Sequence, residues 1–178
     1  MIGDWQCLDL ARRGDETAWR ALFHRHYGPL VRMTACMTGS LDTAQDVAQE
    51  SFVRLLRVRI SHRTGSFKSY VSTIAYHLAL KERKRRASSR NLDSMDIVDG
   101  SPSPLEKAIQ DETDRIIFRV IQMLADGQRE ILALRYFGGH SYEEIARMAN
   151  LPIGTVKSRI FYAIKICREK LRDEGVVI

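Results

Sequence analysis

Apolar residues recur along this chain at steps of three and four, the period of a helix buried on one face. The pattern is clearest between Ser141 and Leu171. Ser141 and Glu144 have the spacing of a capping box, and Ile145, Met148 and Ala149 follow at helical intervals. Asn150 suits a left-handed exit, and Pro152 suits the opening of a second helix. That second helix carries Ile153, Val156, Ile160, Ile164, Cys167 and Leu171 on one stripe. Its other side shows Thr155, Lys157, Ser158, Arg159, Tyr162 and Lys165. Short hydrogen-bonding and basic residues on the first two turns of such a helix match the edges and phosphates of a DNA major groove.

The rest of the chain predicts helices as well, and no stretch alternates as a strand does. Helices are expected over about Trp5–Arg12 and Glu16–Met37, with Asp15 as a cap and Pro29 kinking or dividing the second. Gly39 and Ser40 break the chain, and Asp42 is expected to cap a helix to about Arg57. Its stripe is Ala44, Val47, Ala48, Phe52, Leu55 and Leu56, with Asp46, Gln49, Glu50 and Arg54 off it. A basic loop, about Arg59 to Ser66, precedes a long helix over about Phe67–Ser88. That helix ends in Lys81, Arg83, Lys84, Arg85 and Arg86, a match for a phosphate backbone. Phe67 reads as core; Tyr70 and Tyr76 are candidates for stacking on unpaired bases.

Residues 89–104 lack an apolar period and are rich in Ser, Asp and Pro, the composition of a linker. Acids continue beyond it (Asp111, Glu112, Asp114) and suggest a tether competing with DNA for the basic surfaces. The second half predicts a helix over about Leu105–Leu124 and another over about Gly127–Phe137. Asp126 is the expected cap of the latter and Gly138–Gly139 its end. The fold class is therefore all-α: two small helical domains, 1–88 and 105–178, joined by a flexible linker at 89–104.

The net charge of +6 and pI near 9.4 favour a polyanionic partner. No run is long and apolar enough for a membrane span, and the N-terminus lacks a signal-peptide core, so a cytoplasmic protein without membrane insertion is expected. Cys7, Cys36 and Cys167 are far apart and read as buried thiols in a reducing compartment. His24 and His26 are two apart, which on a helix turns them in different directions, unlike a zinc pair. Neither a phosphate loop nor a nucleophile–base motif is present. The expectation is a protein that is not an enzyme and uses no cofactor or metal.

Taken together, these runs resemble the extracytoplasmic-function subfamily of bacterial RNA polymerase sigma factors. SYEEIA at Ser141–Ala146 and GTVKSR at Gly154–Arg159 are similar to the family's region 4, which reads the −35 promoter element. Asp46, Gln49, Glu50 and Phe52 match a D-x-x-Q-E-x-F pattern that docks on the β′ clamp helices of the polymerase. The run FKSYVSTIAYHLALKERKRR resembles the regions that open and read the −10 element. The resemblance implies −35 contacts from Thr155, Lys157, Ser158, Arg159, Phe161 and Tyr162, with Arg129 and Tyr142 on the backbone and Arg159 serving phosphate or packing. It implies −10 contacts from His62, Arg63, Ser66, Tyr70, His77, Lys81, Lys84 and Arg85. It also implies core RNA polymerase (β′ clamp helices and β flap), promoter DNA and an anti-sigma factor, often membrane-anchored, as partners. The chain departs from the family pattern at Tyr70, often Trp, at His77, often Asn, and at Tyr162, frequently Arg, which bears on the promoter sequence. The competing readings are a stand-alone helix-turn-helix regulator that binds DNA without polymerase, and a metal enzyme using His24, His26 and nearby carboxylates.

Overall fold

Asp15 accepts hydrogen bonds from the backbone N–H groups of Thr17 and Ala18 and starts the longest helix of the first half outside the basic run. The computed structural model describes residues 2–58, 65–92 and 111–176. Helix α1 spans Asp4–Arg12, α2 Glu16–Thr38, α3 Leu41–Arg57 and α4 Phe67–Leu92. In the second half α5 spans Glu112–Gln122 and α6 Asp126–Leu132, which runs on into a π-turn at Ala133–Phe137. Helix α7 spans Tyr142–Ala149 and α8 Ile153–Asp173. Among the described residues there is no strand, as the all-α expectation requires.

Helix α2 is central, packing against α1, α3 and α4 and also against α5, α6 and the π-turn. It runs unbroken through Pro29, so of the two expected outcomes, kink or division, the division does not occur. Proline there leaves the Arg25 carbonyl without its donor, at a cost of about 3 kcal/mol. Burial of Leu22, Leu30, Met33 and Met37 on the same helix outweighs that, at roughly 1.5–3 kcal/mol for each large side chain. Phe52 of α3 plugs the centre, with Trp19 edge-on at 5.5 Å and Phe23 at 5.1 Å between ring centroids. Phe67 sits in core beside Trp5, also edge-on, at 5.3 Å. Such pairs contribute about 0.5–1.5 kcal/mol each beyond their burial. The Arg12 guanidinium donates to the Leu55 and Val58 carbonyls at the end of α3, closing that helix terminus with a cation.

Several boundaries differ from expectation. Ser40, not Asp42, caps α3, since its hydroxyl accepts from the Thr43 N–H. Asp126 is the first residue of α6, not its cap; Ala125 holds the cap position without a side-chain bond. The Asp126 carboxylate is drawn instead to Arg129 and Arg83. The π-turn was also not expected: Gly138 N–H bonds to the Ala133 carbonyl, one residue further back than in an α-helix. Helix α4 continues four residues past Ser88, into what reads as linker, while the rest of 89–104 lies outside the described residues. Asp111 and Glu112 are occupied locally: Asp111 caps α5 and Glu112 pairs with Arg115 at 2.8 Å.

The two halves share one hydrophobic core, in which Leu22, Met33 and Cys36 of α2 join Ile121, Ile131 and Leu134. Gly39 marks how closely they meet. It closes α2 in the left-handed conformation, φ 67°, and a Cβ there would stand 3.0 Å from the Gln122 amide oxygen.

Candidate nucleic-acid interface

The helix-turn-helix forms as its local signals direct. Ser141 Oγ accepts from the Glu144 N–H at 3.1 Å, and the Glu144 carboxylate accepts from the Ser141 N–H at 2.9 Å. Asn150 turns the chain with φ 52°, ψ 52°. Ile145 and Met148 of α7 then meet Val156, Ile160 and Ala163 of α8 in the core. Ile153, expected on that stripe, is exposed at the first turn of α8. With Val156 and Ile160 pinned, Lys157 and Ser158 face solvent. So do Phe161 and Tyr162, at 64% and 54% exposure, with their rings edge-to-face at 5.5 Å. A pair of exposed aromatic rings between exposed cations offers apolar contact and charge to the same ligand. The Ser158 hydroxyl donates to the Thr155 carbonyl at 3.0 Å, and Thr155 itself is half-buried.

Arg159 turns inward. Its guanidinium lies against Gly127, where a Cβ would meet Nη1 at 2.8 Å, so α6 presents bare backbone to it. Arg129 is committed too: it donates to the Gln122 carbonyl at 2.8 Å and to Asp126 at 2.5 Å, with 13% of its side chain exposed. Tyr142 lies under the Arg135 guanidinium, 5.0 Å from the ring centroid. Arg129 and Tyr142, expected at the DNA backbone, have partners within the protein, and Arg159, expected at phosphate or in packing, lies in packing.

On the first half, Lys81, Lys84 and Arg85 of α4 lie along its surface, and Arg85 pairs there with Glu82 at 2.9 Å. Tyr70 and His77 line a cleft of about 710 Å³ together with Gly65, Ser69, Thr73 and Ile74, and Ser66, just before α4, is exposed. The far wall of the cleft is Glu144, Arg147 and Met148 of α7. Tyr70 is half-buried, with its ring 5.5 Å from Trp5. Tyr76 is not a stacking platform: it is 4% exposed, its hydroxyl lies 3.5 Å from Glu130, and burial followed by that carboxylate's charge pushes its pKa up to about 12. His62 and Arg63 lie outside the described residues.

Asp46, Gln49 and Glu50 form an exposed row on α3, and Glu50 pairs with Arg54 at 2.7 Å. An exposed i,i+4 pair of this kind contributes only about 0.3–0.5 kcal/mol, so Glu50 is readily released to another cation. Phe52, grouped with them by sequence, is 1% exposed and acts as the plug that fixes the row. Asp46 and Glu50 share a surface cleft with Arg85 and Arg86 of α4, which places the acidic row beside the basic one.

His26, unlike exposed His24, is buried between Asp4, at 2.9 Å, and the Phe67 ring. Among the described residues no group of His, Cys, Asp and Glu is arranged to hold a metal ion, and no helix is long and apolar enough to cross a membrane. The three cysteines are free, and burial raises the Cys36 thiol to about 12.

Comparison with known proteins identifies both halves of the chain. Residues 22–89 match the family model "Sigma-70 region 2" and residues 114–167 match "Sigma-70, region 4". An RNA polymerase sigma-H factor of Pseudomonas aeruginosa is 30% identical over 172 residues, 90% of this chain and 89% of the relative. An ECF RNA polymerase sigma-E factor of Salmonella typhimurium is 30% identical over 183 residues, 96% of this chain and 95% of the relative. In fold, the chain is similar to the sigma factor RpoE of Bartonella quintana, solved with the anti-sigma factor NepR, at a TM-score of 0.69 and 24% identity over 86% of this chain and 96% of that one. It is also similar to CnrH, solved with the cytosolic domain of CnrY, at a TM-score of 0.67 and 20% identity over 94% of this chain and 96% of that one.

Proposed function

Because the chain belongs to the sigma-70 family, in its extracytoplasmic-function subfamily, we propose that it binds core RNA polymerase and directs promoter-specific initiation, reading the −10 element with its first half and the −35 element with its second. The family consists of initiation factors without catalytic activity of their own. The observation that carries the reading is the division of exposed chemistry among three surfaces. Helix α8 offers Lys157, Ser158, Phe161 and Tyr162 to a duplex. Helix α4 offers Lys81, Lys84 and Arg85 to phosphates beside Ser66, Tyr70 and His77. Helix α3 offers Asp46, Gln49 and Glu50 to a basic protein partner. A stand-alone regulator has no use for the third surface. The partners in this proposal are the polymerase β′ clamp helices and β flap, promoter DNA, and an anti-sigma factor that covers the same faces in the cytoplasm.

The test is run-off transcription with core polymerase and promoter fragments from the host. Transcripts that require this protein are expected, and they identify both promoter elements. Reversal of the α3 row, Asp46→Lys with Glu50→Lys, is expected to weaken binding to core about ten-fold or more while the protein stays folded. Tight duplex binding with no affinity for core and no transcript would establish the stand-alone regulator instead.

A further inference from the structure

The cleft that holds Tyr70 and His77 is braced from α1. Trp5 is half-buried, and its indole lies edge-on to two rings one turn apart on α4: Phe67, at 5.3 Å between centroids, and Tyr70, at 5.5 Å. The same indole donates from Nε1 to the Gly65 carbonyl at 3.4 Å, a bond between residues 60 apart in the chain. Gly65 lines the cleft just ahead of α4 and has no side chain of its own to pack. One side chain therefore meets both a wall of the cleft, Tyr70, and its lip, Gly65.

Helix α1 is itself firmly held. Cys7 and Leu8 are buried. Asp4 pairs with Arg25 of α2 and stands 2.9 Å from Nε2 of buried His26, whose ring is 5.0 Å from Phe67. The contacts close a circuit from Asp4 through His26 and Phe67 back to Trp5, with Tyr70 attached at the indole. The match to region 2 begins at residue 22, so α1 lies ahead of the matched stretch.

We propose that Trp5 is a positioning residue for the −10 cleft, holding Tyr70 and Gly65 in the arrangement that an unpaired base of the −10 strand enters. The proposal rests on α4 being the −10 surface, as proposed above. Trp5 acts through Tyr70 and Gly65 without touching the DNA. A wall and a lip that are set beforehand need no ordering when the strand arrives, and where only a fraction of molecules has them set, apparent affinity falls by that fraction. The loss falls on the strand whose base fits the cleft. A strand without that base binds through its phosphates to Lys81, Lys84 and Arg85 and is affected less. The signature of Trp5 is therefore a change in discrimination between sequences.

The experiment uses holoenzyme assembled from core polymerase and the full chain. The probes are a fluorescein-labelled single strand carrying the −10 element found by run-off transcription and the same strand with that element shuffled. The readout is the ratio of the two affinities, in which any loss of folded protein cancels. Trp5→Leu removes the ring contacts and the donor, and is expected to lower the ratio about ten-fold, as for a set fraction of about one tenth. Trp5→Phe keeps a ring and removes the donor, and is expected to fall between Trp5→Leu and the unaltered protein. A ratio unchanged in Trp5→Leu, or in Trp5→Phe should Trp5→Leu not fold, overturns the proposal while the proposed function stands. An unaltered holoenzyme that yields no promoter-dependent transcript, or does not discriminate between the two strands, overturns the −10 reading and this proposal with it.

Discussion

Lys157 and Ser158 are exposed while Val156 and Ile160 beside them are buried, so the proposed reading positions and the packing positions are different residues of the same turns. Changing Lys157→Ala and Ser158→Ala together is expected to reduce discrimination by about 1–3 kcal/mol for each base no longer read. The unfolding midpoint is expected to move little, because surface substitutions usually stay within about 0.5 kcal/mol. Unchanged transcription from cognate promoters would remove both residues from base reading. At this scale the sequence was informative where a side chain's exposure follows from its own helix, as for exposed Lys157 and buried Phe67. It misled where exposure depends on a distant neighbour. Phe52 shares a motif with three exposed residues yet is fixed by Trp19 and Phe23. Tyr76 is a candidate for base stacking by sequence, yet it is buried with its hydroxyl facing Glu130 of α6. Asp126 and Glu130, two acids four apart on one helix, both pair with Arg83 of α4, a contact that no local pattern in the sequence announces.

Among the elements, α7 depends most visibly on its ends. Ser141→Ala removes one bond of the capping box outright and leaves Glu144 reaching back without its reciprocal partner. The expected cost is about 1 kcal/mol, or roughly 2–4 °C in thermal midpoint for a domain of this size, read by circular dichroism. An unchanged midpoint would mean that packing of Ile145 and Met148 alone fixes the helix. The capping box and Asn150 were legible because each acts within three or four residues. The start of α3 was not, because Ser40 and Asp42 are both good caps, and only the extended backbone at Ser40 (φ −141°, ψ 126°) decides between them. Helix α6 starts without a side-chain cap for a related reason: its acid is taken by two arginines, one of them from the other half.

Across the whole molecule, two buried histidines flank Lys68. Burial lowers the pKa of His26, against the pull of Asp4, with Arg25 and Lys68 adding to the lowering. Burial and Lys68 lower that of His140, against Glu144, whose carboxylate stands 3.6 Å from Nδ1. Both rings therefore bind protons more weakly folded than unfolded. Their contribution to stability is complete above the unfolded value, near 6.5, and is lost as pH falls below it toward the folded values. Urea midpoints are expected to fall from about pH 7 to about pH 5, less steeply in His140→Gln; a flat profile would exclude the pair as a source of acid sensitivity. The carboxylates whose pKa is lowered, Asp15, Glu143 and Glu144, lose their contribution below their ordinary values of 3.8 to 4.5, a separate and lower window. That both halves share one core was not legible in the sequence, since each stripe of apolar residues is satisfied equally by its own domain or by its neighbour. The π-turn at Ala133–Phe137 has a geometric consequence for this assembly. It is one residue of slack wound into a helix, and its removal would rotate everything beyond it by about 100°. The spacing between Leu132 and Ser141 thus works as a phase setting. Chain length there, more than side-chain chemistry, decides which way α8 faces.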